Sequence, residues 1–157
     1  MYHGTEKSYI FFMQIYCDGS CFGNPGPGGW AAIFIKNNQV VQKICGYDKD
    51  TTNNKMELTA AIKALERVKE TDVDIFTDST YLQQGITVWI KSWKLNNWKN
   101  GKIKNVELWE ELDKLNSALN VKWHWVKAHN GNKYNEMADR LAKGAIIQKK
   151  EFQEIKI

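Results

Sequence analysis

The order in which hydrophobic periods follow one another constrains this chain more than any other feature. Residues 9 to 17 (YIFFMQIYC), 29 to 36 and 39 to 47 are rich in β-branched and aromatic residues. Joined by a Gly/Pro loop and by Asn37-Asn38, they predict three strands in two hairpins. The period then changes. Residues 54 to 69 recur at helical spacing, while VDIFT (73 to 77) and VKWHWV (121 to 126) are short apolar strands. Further helices are expected at STYLQQG just after Asp78, over 106 to 119 and over 133 to 150. Hairpin strands first, then strands alternating with helices, imply one mixed sheet flanked by helices, an α/β class. A chain of 157 residues with 43% hydrophobic content fills one core, and no repeat or linker divides it. The first strand is too short to span a bilayer and is interrupted by Gln14, so it reads as a buried central strand with both faces covered, and no membrane partner is expected. Cys17, Cys21 and Cys45 are odd in number and have no metal-ligand spacing, which argues against a disulfide framework or zinc finger and for a reducing compartment, the cytoplasm fitting best.

The charge is uneven. No acid occurs between Asp78 and Glu107, and that gap holds Lys91, Lys94, Lys99, Lys102 and Lys104, one lysine more than the whole net charge of +4. A basic segment of this kind suggests a polyanion, although lysine is also an ordinary surface residue. Arg67 and Arg140 are the only arginines. Lysine meets phosphate as a point charge and does not read base edges, so binding is expected to be blind to sequence. Within this segment Ile86, Trp89, Ile90 and Trp93 share one helical face, where packing is their first role.

Four carboxylates stand where apolar stripes meet polar residues. Asp18 ends the first strand, Asp78 follows VDIFT, and Glu57 and Asp139 lie on apolar edges of their helices. Each has an ordinary explanation as well. Asp18 could open the turn DGSCFGNPGPGG, and Asp78 or Ser79 could cap the next helix. Glu57 could complete a capping arrangement with Asn54, and Asp139 could sit on a solvated face with Glu136 and Arg140. Gathered in one place, however, such acids would repel one another unless a cation neutralised them. Among the histidines, His3 is in a tail, His124 alternates with Trp123 and Trp125 in a strand, and His129 lies in the loop KAHNGN ten residues before Asp139. His129 is therefore the candidate for handling a proton near neutral pH. The loop NPGPGG lacks the Gly-Lys-Ser/Thr ending of a phosphate loop and reads as a tight turn.

Five segments carry a resemblance. YCDGSCFGNPGPGGWAAI, TTNNKMELTAAIKAL, IFTDSTYLQQGI, WKNGKIKNVELWEEL and WHWVKAHNGNKYNEMADRLA follow one another through nearly the whole chain. Together they resemble type 1 ribonuclease H, with the Trp/Lys segment similar to the basic handle of bacterial-type members. The resemblance implies a ribonuclease H-like fold: a five-stranded mixed sheet, three strands antiparallel then two parallel, with helices on both faces. One catalytic domain would fill residues 1–157, with flexible ends at 1–8 and 149–157. It also implies that Asp18, Glu57, Asp78 and Asp139 ligate two Mg²⁺ or Mn²⁺ ions and that the RNA strand of RNA/DNA hybrids is cut endonucleolytically, leaving 5′-phosphate and 3′-hydroxyl ends. His129 would be the family's loop histidine. Cys21, Asn24, Thr52, Asn53, Asn54 and Asn105 would meet the hybrid's backbone, Trp89 and Trp93 would border the DNA strand, and Lys94 would meet its phosphates. No organic cofactor is expected, and the monomer is the default state. Thr80, Ala128 and Leu95 to Asn97 depart from the family's usual pattern without touching an expected ligand. A hybrid-binding module with little catalysis, and a domain derived from a reverse transcriptase, remain as alternatives.

Overall fold

The computed structural model describes residues 12–157. His3, the expected flexible end at 1–8 and the first residues of the expected strand at 9–17 lie outside them. The chain runs β1 (Phe12–Cys21), β2 (Gly26–Lys36), β3 (Gln39–Thr51), α1 (Asn53–Leu65), β4 (Asp72–Thr77) and α2 (Thr80–Gln84). A π-helical turn, Gly85–Trp89, leads into α3 (Ile90–Leu95). Then come a left-handed turn through Asn97–Gly101, α4 (Val106–Ala118), β5 (Asn120–Trp125), α5 (Lys133–Gln148) and β6 (Gln153–Lys156). The sheet order is β5-β4-β1-β2-β3-β6. β1, β2, β3 and β6 pair antiparallel, while β4 and β5 extend the other side of β1 in parallel.

The mixed sheet of three antiparallel and two parallel strands is present, with one strand more than the five expected. β6 lies within 149–157 and pairs with Gln42 to Cys45 of β3. Phe152 just before it stacks near Trp30 at 6.1 Å, the Arg67 guanidinium covers the Phe152 ring at 4.6 Å, and Arg67 pairs with Glu154 at 3.2 Å. A short edge strand carrying charges covers the rim of β3 that would otherwise be open to pairing.

One face of the sheet packs against α1 and α4 through Ile15, Cys17, Leu58, Ala61, Trp109 and Leu112. The other packs against α5 through Ile33, Ile35, Ala138, Ala142 and Ala145. The strand buried on both faces is β2, where Trp30 to Ile35 are all covered, and not β1. α5 sits chiefly over β2, so on β1 only one face is sealed and Tyr16 on the other is half-buried. β5, read as another apolar strand, is a partly exposed edge whose side chains alternate.

The caps settle which polar residues are free for other work. Thr52 Oγ1 accepts from the Lys55 N–H at 3.2 Å, so Thr52 and not Asn54 caps α1. Ser79 Oγ accepts from the Leu82 N–H at 3.1 Å and caps α2, which releases Asp78 from that role. Asn132 Oδ1 caps α5 by accepting from the Asn135 N–H at 3.0 Å.

Candidate active site

Strand register brings the first two acids together. Tyr16 of β1 faces Phe76 of β4, and the two strands run parallel. Two residues further along stand Asp18, still within β1 and three residues before its end, and Asp78, which directly follows the carboxyl end of β4. Ligand sites in such sheets form outside the carboxyl ends of the strands. Glu57 arrives from α1 on the opposite face, and Gly19 lets it through. A Cβ at Gly19 would lie 2.5 Å from the Glu57 backbone nitrogen and 2.8 Å from its Oε1. With hydrogen there instead, the Gly19 N–H donates to Glu57 Oε1.

Asp18, Glu57 and Asp78 each offer an oxygen within 4.8 Å of the others. Asp18 is 4% and Glu57 7% exposed. Burial, then the charge of Glu57, then that of Asp78, push the Asp18 carboxyl far above the usual carboxylate range. Glu57 is pushed up as well, by burial first and the Asp78 charge second, with partial relief from the Gly19 N–H and the Ser79 hydroxyl. Asp139 stands one step out, near enough for its carboxylate to act on Asp18, while Lys143 Nζ donates to its Oδ2 at 3.1 Å. All four predicted acids therefore meet at one end of the sheet, three tightly and the fourth at the rim. The donor set is hard oxygen throughout, the kind that suits Mg²⁺ or Mn²⁺, and its crowding is the expense a divalent cation would relieve.

At the start of α1, the helix that carries Glu57, lies a cavity of about 600 Å³ lined by Asn24, Pro25, Thr52, Asn54, Lys55, Lys104 and Asn105. Four of the predicted substrate contacts thus share one surface. Asn24 Oδ1 accepts from the Asn53 N–H at 2.9 Å, which joins the Gly/Pro loop to the start of α1. Asn105 adopts the left-handed conformation (φ 62°) before α4, and its Nδ2 donates to the Tyr81 hydroxyl at 3.2 Å. Cys21 is engaged inward, its Sγ 3.4 Å from the Thr51 carbonyl and 3.5 Å from that of Gly26. Lys55, which directly follows Asn54, and Lys104, from the basic segment, line the same cavity.

A second cavity, about 360 Å³, is lined by Trp89, Ser92, Trp93, Lys99 and Ile103. Trp89 is 38% exposed and can meet a ligand, whereas Trp93 at 8% packs against Trp89, Trp98 and Trp109 and serves mainly as its support. Lys94 is paired with Asp113 at 2.9 Å and is not a free cation. His129 is exposed, with φ 52°, in the loop that precedes α5, and no hydrogen bond holds it among the described residues. His124 instead pairs with Asp74 at 2.9 Å and stacks on Phe76, a packed arrangement on the sheet.

The RNase H family model matches residues 12–147. A protein named Ribonuclease H from Ehrlichia canis is 56% identical over 146 residues, covering 89% of this chain and 98% of its own. One of the same name from Francisella philomiragia is 53% identical over 148 residues, covering 92% and 95%. Among solved structures, LC9-RNase H1, a type 1 RNase H with the type 2 active-site motif, superposes with a TM-score of 0.81 at 31% identity, covering 89% of this chain and 74% of that one. LC11-RNase H1, solved in complex with an RNA/DNA hybrid, shares the fold with a TM-score of 0.68 at 22% identity, covering 87% and 97%.

Proposed function

Because this chain belongs to the RNase H family, in its type 1 branch, we propose that it cuts the RNA strand of RNA/DNA hybrids using two divalent cations held by Asp18, Glu57, Asp78 and Asp139, with Mg²⁺ the physiological ion. The observation that carries the metal reading is the convergence of three buried or half-buried carboxylate oxygens within 4.8 Å. When bound, a pair of such cations supplies an activated water and neutralises the leaving 3′-oxygen. The rest is the work of side chains. Asp18 and Glu57, fixed by β1 and by the Gly19 N–H, hold the floor of the site, and Asp78 closes it from β4. Asp139, tethered by Lys143, faces the open side, where exchange with solvent is easiest. His129, exposed on a loop, takes a proton from the scissile region and passes it to solvent near neutral pH.

Recognition divides between the two cavities. The amides of Asn24, Asn53, Asn54 and Asn105 with Thr52 and Cys21 supply the donors and acceptors that test for a 2′-hydroxyl. Trp89, supported by Trp93, borders the DNA strand, and the handle-like lysines meet its phosphates, Lys94 after leaving Asp113. Cleavage leaves 5′-phosphate and 3′-hydroxyl ends. We take the enzyme to act as a monomer in a reducing compartment, the cytoplasm, in keeping with three free thiols. No helix among the described residues is long and apolar enough to cross a membrane. The reverse-transcriptase alternative gains less support, since the likeness to a foamy viral protease-reverse transcriptase is at 16% identity and concerns the fold alone. A catalytically weak binding module would not need the crowded acids.

The test uses one labelled RNA as single strand, as RNA duplex and as RNA/DNA hybrid, each with Mg²⁺ and with chelator. Cleavage of the hybrid alone, only with Mg²⁺, is expected. Hybrid binding without cleavage would support the module instead, and cleavage that survives chelation would end the metal reading.

A further inference from the structure

Asn135 lies in the first turn of α5, four residues before Asp139, so the two side chains leave the helix from one face. It is 2% exposed, among the few buried polar side chains of the described residues. Its Nδ2 donates to Asp78 Oδ2 at 3.3 Å, the one hydrogen bond that the Asp78 carboxylate receives from the described residues. A carboxylate that is to hold a cation accepts and cannot donate, which sets the orientation of the amide in the ligating pose. The NH₂ must face Asp78, and Oδ1, turned away, is buried without a donor among the described residues. Holding an amide in the one pose that leaves its oxygen unpaired is a cost that packing alone does not require, and such costs gather at functional sites.

The main chain at Asp78 has its own anchor, since Trp125 Nε1 donates to the Asp78 carbonyl at 3.1 Å. What Asn135 adds is the rotation of the carboxylate about that fixed backbone. It also joins the end of β4 to the helix that carries Asp139. Accepting the metal reading above, we infer that Asn135 is a positioning residue for the cation site: it locks Asp78 in the ligating pose and sets the approach of Asp139. Removing an outer hydrogen bond to a ligating group typically weakens metal affinity by about 10- to 100-fold.

The experiment is calorimetric titration of Mg²⁺ into the wild type, Asn135→Ala, Asn135→Ser and, as a packing control on the same helix, Ile146→Ala. Asn135→Ser keeps a polar group too short to reach Asp78 and serves if the alanine variant does not fold. Expected is a Kd for Mg²⁺ raised about tenfold or more in either Asn135 variant, a matching shift in the Mg²⁺ concentration giving half-maximal cleavage, and an unchanged KM for hybrid at saturating Mg²⁺. Ile146→Ala should lower Tm and leave the Mg²⁺ affinity alone. A folded Asn135 variant that binds Mg²⁺ as the wild type does would overturn the inference and reduce Asn135 to packing. A wild type that takes up no Mg²⁺ would overturn the metal reading itself, and this inference with it.

Discussion

Asp18 is pulled in two directions, needed as an anion by a cation and resisted as an anion by burial and by three neighbouring acids. The metal-free protein therefore pays for its own active site. The folded carboxyls of Asp18 and Glu57 hold their protons to higher pH than the unfolded ones, which release theirs near pH 4. Stability from these groups is complete below that pH and declines as pH rises toward the raised folded values. In chelator, the wild type should lose Tm steadily from pH 5 to pH 8. Asp18→Asn, which has no proton to lose, should melt higher than the wild type at pH 8 and show a flatter profile. With Mg²⁺ in excess the wild type should regain its Tm and the variant should not. Thermal melts across pH with and without chelator check this; a variant that melts lower than the wild type in chelator at pH 8 would show that the acids do not strain one another. The position of Asp18 was legible because a near-continuous apolar run meets its first acid there, although β1 itself continues three residues further, to Cys21. Asn135 was not, since an amide in the first turn of a helix looks like any other capping residue until the fold sets it against Asp78.

At the level of elements, the approach of α1 to β1 depends on one missing side chain. Gly19→Ala would put a methyl group 2.5 Å from both the Met56 carbonyl carbon and the Glu57 nitrogen, backbone atoms that cannot step aside. Forcing the helix outward costs about 1–3 kcal/mol, which for a chain of this size is a fall in Tm of roughly 2–4 °C per kcal/mol. It also carries Glu57 away from Asp18, so the Mg²⁺-induced rise in Tm should vanish along with hybrid cleavage, an outcome that melts with and without Mg²⁺ can test. The strands and long helices could be read from the sequence because their periods are local and sustained. β6 could not. It is four residues long, mostly exposed, and defined by pairing with β3 more than a hundred residues earlier, so no local pattern marks it. The π turn at Gly85–Trp89 was equally hidden. A Cβ at Gly85 would run into the Trp109 ring, and only the packed molecule shows that Trp109 fills that space. Ending the chain at Lys150 should leave activity at 25 °C intact, because β6 is remote from the acids in the sheet order. It should lower Tm by a few degrees and, with the β3 edge open, bring on concentration-dependent scattering during heating.

For the molecule as a whole, the question is whether its positive excess grips substrate or only keeps the surface charged. Counterion release distinguishes the two, because each cation that neutralises a phosphate steepens the fall of log K with log salt by nearly one unit. The lysines of the basic segment are not equivalent in the folded chain. Lys99 lines the cavity with Trp89, and Lys104 lines the one with Asn24 and Asn105, whereas Lys94 already neutralises Asp113. Hybrid binding can be followed without cleavage in Asp78→Asn with chelator present, since loss of a ligand leaves the basic surface untouched. On that background Lys99→Ala and Lys104→Ala should each make the salt slope shallower by about one. Lys94→Ala should change it less, because Asp113 competes for its charge. Lys156→Ala, on exposed β6 at the far edge of the sheet, should not change it at all. Equal effects from all four would mean that net charge alone attracts the hybrid. Slopes that depend on position in the predicted order would place the DNA and RNA backbones along the two cavities, a distinction that the count of lysines along the chain could not make.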